Sequence, residues 1–148
     1  MKIIKGNISK KKDKKGAEIL CIGSELLLGN IVNTNAQWLA KELAVLGIHH
    51  FRQTVIGDNA SRLKEAIIEA SNRCQILIAT GGLGPTPDDI TTQTIASAFN
   101  TPLEERKDLL IELENKFKDK YYLLSESQKK QCLVPSGSEI LKNSNGTA

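Results

Sequence analysis

The sequence of residues 76–93, ILIATGGLGPTPDDITTQ, constrains the fold more than any other stretch. It opens with an apolar run, which is typical of a strand buried on both faces of a parallel sheet. The run breaks at residues 81–85, GGLGP, where the glycines permit positive φ angles and a close approach of backbone to a ligand. We predict a strand, a glycine loop and a helix start in that order. This arrangement binds phosphate through free backbone N–H groups and the positive end of the helix dipole.

The predicted helix start is acidic. Thr86 is expected to cap the helix, with Pro87 at its first position and Asp89 closing a capping box three residues after Thr86. Asp88 and Asp89 would repel a bare phosphate, so we expect a phosphate ligand to arrive with a divalent cation that carboxylates and phosphate oxygens share. The alternative is local, with Asp89 serving only the cap and Asp88 only the helix dipole. The loop matches neither the P-loop nor the dinucleotide-binding glycine motif.

Two further strand–helix units precede this stretch. Residues 17–22 are predicted to be a strand, and residues 33–46 a helix that begins at capping Asn side chains and ends at Gly47. A more polar strand over residues 48–56, placed near a sheet edge, leads into a turn at residues 57–59 that caps the next helix. Three such units in a row predict an α/β protein with a parallel sheet, right-handed crossovers and helices on both faces.

Carboxylates follow the first two strands, as the glycine loop follows the third. Glu25 comes after the first strand and Asp58 after the second. Because a parallel sheet collects the carboxyl ends of its strands at one edge, we expect both acids near the glycine loop. Taken singly, Glu25 is equally well explained as a surface acid and Asp58 as a helix N-cap.

The last third of the chain is predicted to contain a charged amphipathic helix over residues 104–120 and a short helix over residues 125–131. Short strands are predicted at residues 132–134 and 139–141. Lys130 and Gln131 lie where they could reach an anionic ligand, although a solvated patch is the simpler interpretation.

The positive net charge comes from a tail. The whole chain has a net charge of +3, and residues 1–16 have a net charge of +6. Residues 17–148, the predicted globular domain, therefore have a net charge of −3. We expect the tail to be a disordered basic arm, with contact to nucleic acid or anionic lipid as the alternative. Nothing else favours nucleic-acid binding, and no apolar run is long enough to cross a membrane. Three widely spaced cysteines fit buried thiols in a reducing compartment, so a cytoplasmic location is expected.

Five segments in order, GSELLLGNIVNTNAQWLAKEL, Asp58-Asn59, TGGLGPTPDDIT, KKQCLVP and NGTA, resemble the N-terminal domain of the competence/damage-inducible protein CinA family. This domain belongs to the molybdopterin-binding fold of molybdenum-cofactor biosynthesis proteins. The resemblance covers about residues 17–148. It implies a three-layer α/β/α fold, a homo-oligomer, and a ligand built on a nucleotide or pterin phosphate. In the family the chain continues past the final Gly-Thr-Ala, often into a deamidase domain, so we expect this chain to be incomplete at its C-terminus.

The resemblance also implies a reaction. Members with this glycine loop resemble metal-dependent pyrophosphatases acting on ADP-ribose, whereas the cofactor-biosynthesis relatives bind molybdopterin and transfer adenylate to its phosphate. In the relatives, the catalytic acids are an Asp that closes the glycine-loop motif and an Asp after the second strand, which match Asp89 and Asp58. Asp88 stands where the cofactor-biosynthesis proteins often carry a basic residue, which favours the pyrophosphatase reaction.

The resulting hypothesis assigns the substrate site to glycines and polar side chains. A diphosphate cradle is predicted from four loop residues, Gly81, Gly82, Gly84 and Thr86. Lys130 and Gln131 are predicted to contact the ligand from the far side, and the further glycine loop implied by the resemblance adds Gly146.

The acids carry the predicted chemistry. Asp88 and Asp89 are predicted to hold a divalent ion, Mg²⁺ or similar, with Asp89 also catalytic. Asp58 or Glu25 is predicted to position or deprotonate the attacking water. Two alternatives stay open: molybdopterin binding with adenylyl transfer, and a non-enzymatic nucleotide-binding module associated with competence.

Overall fold

The computed structural model describes residues 2–3, 16–117 and 124–143. The strands are β1 (Lys2–Ile3), β2 (Ala17–Ile22), β3 (His50–Ile56), β4 (Ile76–Thr80), β5 (Leu103–Glu105), β6 (Leu133–Pro135) and β7 (Glu139–Ile140). The helices are α1 (Ser24–Leu27), α2 (Thr34–Val45), α3 (Ala60–Arg73), α4 (Thr91–Ala98), α5 (Lys107–Phe117) and α6 (Glu126–Lys129), followed by a 3-10 turn at Lys130–Cys132.

The main sheet is parallel and has the strand order β3-β2-β4. Cys21 of β2 lies beside Val55 of β3 and Thr80 of β4, so the three strands end at the same edge. The predicted parallel sheet is therefore confirmed, as is the edge position of β3. Residues 76–80 pack on both faces, as expected, with Ile78 against one core and Leu77 and Ala79 against the other. They are only partly buried, and Ile76 is 40% exposed, because β4 has one strand neighbour among the described residues. The central strand is β2, in which every residue is buried.

Helices cover both faces of the sheet because side chains alternate along β2. Ala17, Ile19 and Cys21 pack against the apolar side of α2, which presents Ala36, Leu39 and Leu43. Leu20 and Ile22 point the other way and pack against Leu63 and Ile67 of α3 and against Ile95 of α4. Full burial of each large aliphatic side chain contributes about 1.5–3 kcal/mol. These two cores make the three-layer α/β/α arrangement.

Asparagine side chains begin the two long helices. The Asn33 side chain accepts a hydrogen bond from Ala36 N at 3.1 Å, and the Asn59 side chain accepts one from Arg62 N at 3.0 Å. Asn59, and not Asp58, is therefore the N-cap of α3. The carboxylate of Asp58 is free for another role.

The helix after the glycine loop begins later than predicted. Residues 86–90 form a turn, and α4 begins at Thr91, so the expectation that Pro87 occupies the first helical position is wrong. The predicted charged helix also begins later, because Leu103–Glu105 pairs antiparallel with β6, and the helix starts at Lys107 and continues to Phe117, where the described part of this segment ends. At residues 103–105 a non-local strand pairing overrides the local helix signal, whereas at residues 86–89 local hydrogen bonds between Thr86 and Asp89 form a turn instead of a helix start.

The periphery of the domain contains two small antiparallel pairs, β5 with β6 and β1 with β7. The pairing of Lys2–Ile3 with Glu139–Ile140 means that the expected disordered arm does not include these two residues. Residues 4–15, and the C-terminal stretch that contains Gly146, lie outside the described part. All three cysteines are free and buried, as predicted. None of the described helices combines the length and the apolar character needed to cross a membrane.

Candidate functional site

A glycine follows directly after each strand of the main sheet: Gly23 after β2, Gly57 after β3 and Gly81 after β4. The N–H of Gly23 donates to Ile56 O at 2.9 Å, which joins the ends of β2 and β3. Gly81 has φ +96, and a Cβ at this position would collide with the carbonyl oxygen of Ile22. The three strand ends therefore approach one another so closely that a side chain at position 81 is excluded.

Asp58 is fixed at this edge by a reciprocal pair of hydrogen bonds with Ser24. The N–H of Ser24 donates to Asp58 Oδ2 at 2.9 Å, and the N–H of Asp58 donates to Ser24 Oγ at 3.1 Å. Asp58 Oδ1 has no hydrogen-bond partner in the part of the chain that the structure describes. The pair joins the loops after β2 and β3 and holds one carboxylate oxygen in place while the other is available.

Glu25 lies next to this pair. It is exposed, and its carboxylate folds back over Gly23, where a Cβ would collide with it. On the other side of β2, Asn35 Nδ2 donates to Thr80 Oγ1 at 3.2 Å, which ties the first turn of α2 to the end of β4. The structure thus places Glu25, in the short helix α1 after β2, and Asp58, in the loop after β3, at the carboxyl edge, as predicted from strand order.

The glycine loop leaves several amides free. Gly81 and Gly82 have φ +96 and +59. Their carbonyl oxygens are engaged by one residue, because Thr91 Oγ1 donates to Gly81 O at 2.8 Å and Thr91 N donates to Gly82 O at 3.1 Å. The N–H groups of Gly81, Gly82 and Leu83 have no hydrogen-bond partner among the residues described. Successive free amides in a turn with left-handed residues form a concavity that binds anions.

Asp89 is held inside the same loop. Its Oδ2 accepts from Thr86 N at 2.9 Å and from the Thr86 hydroxyl, and the carboxylate lies against Gly84, where a Cβ would collide with it. Burial by itself would raise the pKa of Asp89, but these hydrogen bonds, together with the charge of Lys130, outweigh burial and lower the pKa below its usual value. The carboxylate is therefore ionised at neutral pH. Thr86, predicted to cradle a diphosphate, donates to Asp89 in this structure, and Gly84 lies against the same carboxylate.

The carboxylates here suit a cation that arrives together with a phosphate. Asp88 is exposed and has no hydrogen bond or ion pair with any described residue, whereas Asp89 is engaged by the loop. Within the described ranges, no three His, Cys, Asp or Glu side chains are grouped as a metal site. Mg²⁺ is usually bound by one or two carboxylates plus substrate phosphates and water. Asp88 and Asp89 fit that smaller protein contribution.

Lys130 and Gln131 contact the glycine loop from outside the sheet. Lys130 Nζ donates to Asp89 O at 2.8 Å and lies 3.4 Å from Thr86 O. Gln131 Nε2 lies 3.4 Å from Leu83 O. All three acceptors are backbone carbonyls, so both side chains contact the face of the loop that carries oxygens.

Residues 18–142 match the family model described as probable molybdopterin binding domain. The chain belongs to this family. Its curated relatives include the CinA-like protein of Prochlorococcus marinus (strain NATL1A), which is 69% identical over 148 residues, covering 100% of this chain and 34% of that protein. The CinA-like protein of Crocosphaera subtropica is 57% identical over 132 residues, covering 89% of this chain and 32% of that protein. The chain thus spans about a third of the length of these relatives.

Solved structures agree with this assignment to the molybdopterin-binding domain family. A crystal structure of CinA from Thermoplasma acidophilum, described as of unknown function, has a TM-score of 0.84 at 29% identity and covers 91% of this chain and 79% of its own. The molybdopterin biosynthesis enzyme MoaB from Thermus thermophilus has a TM-score of 0.52 at 16% identity, covering 75% of this chain and 67% of its own, and so shows the fold alone. The resemblance to the CinA family and the predicted fold are confirmed.

Sequence reasoning missed four polar residues of this molybdopterin-binding-type domain: Ser24, Asn35, Thr80 and Thr91. Ser24 binds Asp58, and Asn35 binds Thr80, so these hydrogen bonds join segments that are distant in sequence. Thr91 joins the glycine loop to the helix that follows it. A signal did exist for Ser24 and Thr80, since both lie at carboxyl ends of predicted strands. Thr91 gave no such signal, because its burial at 0% exposure depends on where α4 begins.

Proposed function

We propose that this domain is a metal-dependent pyrophosphatase that hydrolyses ADP-ribose or a related dinucleotide. The observation that carries the proposal is the row of free amides at Gly81, Gly82 and Leu83 beside an Asp89 carboxylate that the loop keeps ionised. A diphosphate needs hydrogen-bond donors, and hydrolysis needs acidic groups at the same edge. Asp58 and Glu25 supply further carboxylates at the adjoining strand ends.

Substrate binding follows from the shape of the loop. The glycines at positions 81 and 82 have no side chain to keep phosphate oxygens away from the backbone, and their N–H groups are available as donors. Amides fixed in place before the substrate arrives stabilise negative charge without reorganising, which is the main way proteins accelerate phosphoryl chemistry. The free carboxylate of Asp88 would repel a bare phosphate, and this repulsion supports binding of a substrate that carries a divalent cation.

Hydrolysis adds water across the P–O–P bond of ADP-ribose and releases AMP and ribose 5-phosphate. Asp58 is suited to orient or deprotonate that water, because Ser24 fixes one of its oxygens and leaves Oδ1 available. Glu25, which follows Ser24 in the chain, is the second candidate for this role. A bound divalent cation, held by Asp88 and Asp89, would neutralise charge on the phosphate oxygens.

The test is AMP release from ADP-ribose, measured with several divalent ions and with a chelator. Asp89→Asn is expected to reduce metal-dependent release by at least about a hundredfold while leaving the fold intact, in the range seen when one preorganised electrostatic group is removed. Asp108→Asn is the matched control, because Asp108 is an exposed acid on α5 that pairs with Arg106. Full activity in Asp89→Asn would remove the catalytic and metal-binding roles from Asp89. No release by folded wild-type protein would remove the hydrolase proposal.

A second candidate is binding of a pterin phosphate with adenylyl transfer. The family description and the MoaB fold favour it. It uses the same free amides as a phosphate site and predicts saturable binding of molybdopterin with little AMP release from ADP-ribose. Saturable nucleotide binding without turnover under any divalent ion would instead indicate a non-enzymatic module.

A further inference from the structure

The glycine loop has two chemically different faces. Its first amides, at residues 81–83, are free, whereas three of its carbonyl oxygens, at Leu83, Thr86 and Asp89, are contacted by Lys130 and Gln131. These two side chains come from a segment more than forty residues later in the chain. The carbonyl face is thus satisfied by protein, and the amide face is left for another partner.

This division has a physical reason. A loop that presents N–H groups to an anion must direct carbonyl oxygens elsewhere, and those oxygens need hydrogen-bond donors of their own. A lysine ammonium is well suited to this task, because it has three donors and no acceptor and can bind more than one carbonyl. The Gln131 amide donates to Leu83, which lies next to the glycines that carry the free amides.

There is no room for a ligand on the carbonyl face. The crevice enclosed by the loop, Lys130, Gln131 and the first turn of α4 holds no more than a single water molecule. A phosphate group does not fit between the Lys130 ammonium and the loop. The close contact with Asp89 O, at 2.8 Å, would have to break before Lys130 could reach a substrate.

The segment that supplies these donors is itself firmly held. Ser125 and Gln128 form a capping box at the start of α6, and Arg106 N donates to Cys132 O at 3.0 Å at its end. Cys132 is buried, and the following strand β6 pairs with β5. A donor that sets the shape of a loop must come from a support that does not move with it, and both flanks of Lys130 and Gln131 meet this requirement.

We propose that Lys130 and Gln131 are positioning residues, which hold the carbonyl face of the glycine loop so that the amides of residues 81–83 stay available to a phosphate. They act through the loop and do not contact the substrate. This inference rests on the proposed function only for the identity of the ligand. The shape of the loop is a property of the protein without ligand and is tested separately.

The first experiment measures amide hydrogen exchange in the ligand-free chain. Lys130→Met removes the ammonium and keeps the aliphatic stem, and it is expected to raise exchange at Thr86, Asp89 and Thr91 by about tenfold, with no change in α3. Lys129→Met is the matched control, because Lys129 is the neighbouring lysine and pairs with Glu126 at 2.7 Å. Unchanged exchange in the loop of Lys130→Met would overturn the proposal. Gln131→Met gives a second test that keeps Lys130 intact, and it is read at the Thr91 amide, which donates to the carbonyl oxygen of Gly82 beside Leu83.

The second experiment measures ADP-ribose binding with Mg²⁺ in the same variants, with inorganic pyrophosphate as an additional probe. We expect affinity to fall about tenfold in Lys130→Met together with the rise in loop exchange, and to recover in Lys130→Arg, which restores cationic donors. Weaker binding with unchanged loop exchange would mean direct contact with the ligand and would overturn the proposal, as would faster loop exchange with unchanged binding. If the wild-type chain binds neither probe, the proposed function fails, while the exchange comparison still decides whether this segment positions the loop.

Discussion

The acidic side chains at the two ends of the central strand β2 have different hydrogen-bond donors. Near its start, Glu18 is 1% exposed, and its two oxygens accept hydrogen bonds from Nε and Nη2 of Arg73, each at 3.0 Å. At its carboxyl edge, Asp58 and Asp89 are half-buried and accept mainly from backbone N–H groups of the loops around them. One end pairs its acid with a cation, and the other surrounds its acids with amides.

This difference indicates a structural role for the acid at the start of β2 and a role in ligand binding for the acids at its carboxyl edge. Around Glu18 the charges balance, because Arg73 also lies 3.5 Å from Glu69, and the crevice there contains Arg52 as well. Burial, followed by the charge of Glu18, raises the pKa of the Cys74 thiol at this end, which makes it a poor nucleophile. At the carboxyl edge, uncharged donors hold Asp58 and Asp89, and neither carboxylate forms an ion pair with a described residue, although the Lys130 ammonium is close enough to help lower the pKa of Asp89. The negative charge that remains there can attract a cation.

The strongest test of the comparison is Gly81→Ala at the carboxyl edge. The new Cβ would collide with the Ile22 carbonyl oxygen, and alanine is strained at the φ of +96 that residue 81 adopts. Backbone strain and overpacking together predict a loss of about 4 kcal/mol in the free energy of unfolding. Gly47→Ala is the control, since Gly47 has φ +68 but nothing within 4 Å, and it should cost about 1 kcal/mol. Urea unfolding measures both. Equal losses would mean that close strand approach does not constrain the edge.

Arg73→Met should give the next largest effect. It leaves the buried Glu18 carboxylate without its cation, and about 2–3 kcal/mol of stability should be lost, less than for a fully buried pair because the Arg73 side chain is 36% exposed. Arg62→Met, on the exposed face of the same helix, is the control. Ligand binding should be unchanged in both variants. A loss of ADP-ribose binding in Arg73→Met at temperatures where the protein is folded would show that the two ends are coupled.

Ser24→Ala is expected to act mainly on function. It removes the hydroxyl that accepts from Asp58 N but keeps the Ser24 N–H that holds Oδ2, so stability should fall by only about 1 kcal/mol. Loosening the Asp58 carboxylate should lower AMP release about tenfold. Ser61→Ala, at an exposed position of α3, serves as the control in the same assay. Normal AMP release from Ser24→Ala would mean that the Ser24 hydroxyl does not position Asp58 for the reaction.

The smallest expected effect is a pH dependence. Because the folded protein lowers the pKa of Asp89 below its usual value of 3.8, the ionised carboxylate stabilises the fold above that pH, and this stabilisation is lost as pH falls through the lowered pKa. Unfolding of wild type and Asp89→Asn should therefore differ by less than about 1 kcal/mol at pH 7 and converge in acid. Asp88→Asn also removes one negative charge, but Asp88 accepts no hydrogen bond from Thr86. Its difference from wild type should therefore not shrink in acid. A difference that persists in acid would mean that ionisation is not the cause.

Local patterns predicted much of this fold. The bounds of β2 and β4 were predicted to the residue, α2 begins at an Asn side chain as expected, and α3 is capped from the predicted turn at residues 57–59. Strand apolarity and N-cap chemistry are properties of neighbouring residues, so the sequence alone reveals them. A helix start was also assigned to Thr86 and Pro87, four residues before α4 begins, because a Thr-Pro-Asp-Asp turn has the same local chemistry as a capped helix start.

Two features of the site could not be inferred from local pattern. Lys130 was predicted to contact the ligand from the far side, with a solvated patch as the simpler interpretation, and only the structure shows that its ammonium binds loop carbonyls. Glu18 received no role, because its partner Arg73 lies 55 residues away and an acid in a buried strand has no local signal for its cation.

The sequence by itself determined that three strands would each be followed by a small or acidic loop at one shared edge, since strand direction and right-handed crossovers leave no other arrangement. Only the tertiary structure decided which strand is central, which acid is paired with a cation and which is held by amides. These outcomes depend on contacts such as Ser24 with Asp58, 34 residues apart, and Lys130 with Asp89, 41 apart. Their free energies arise from burial and geometry that exist only once the layers have packed.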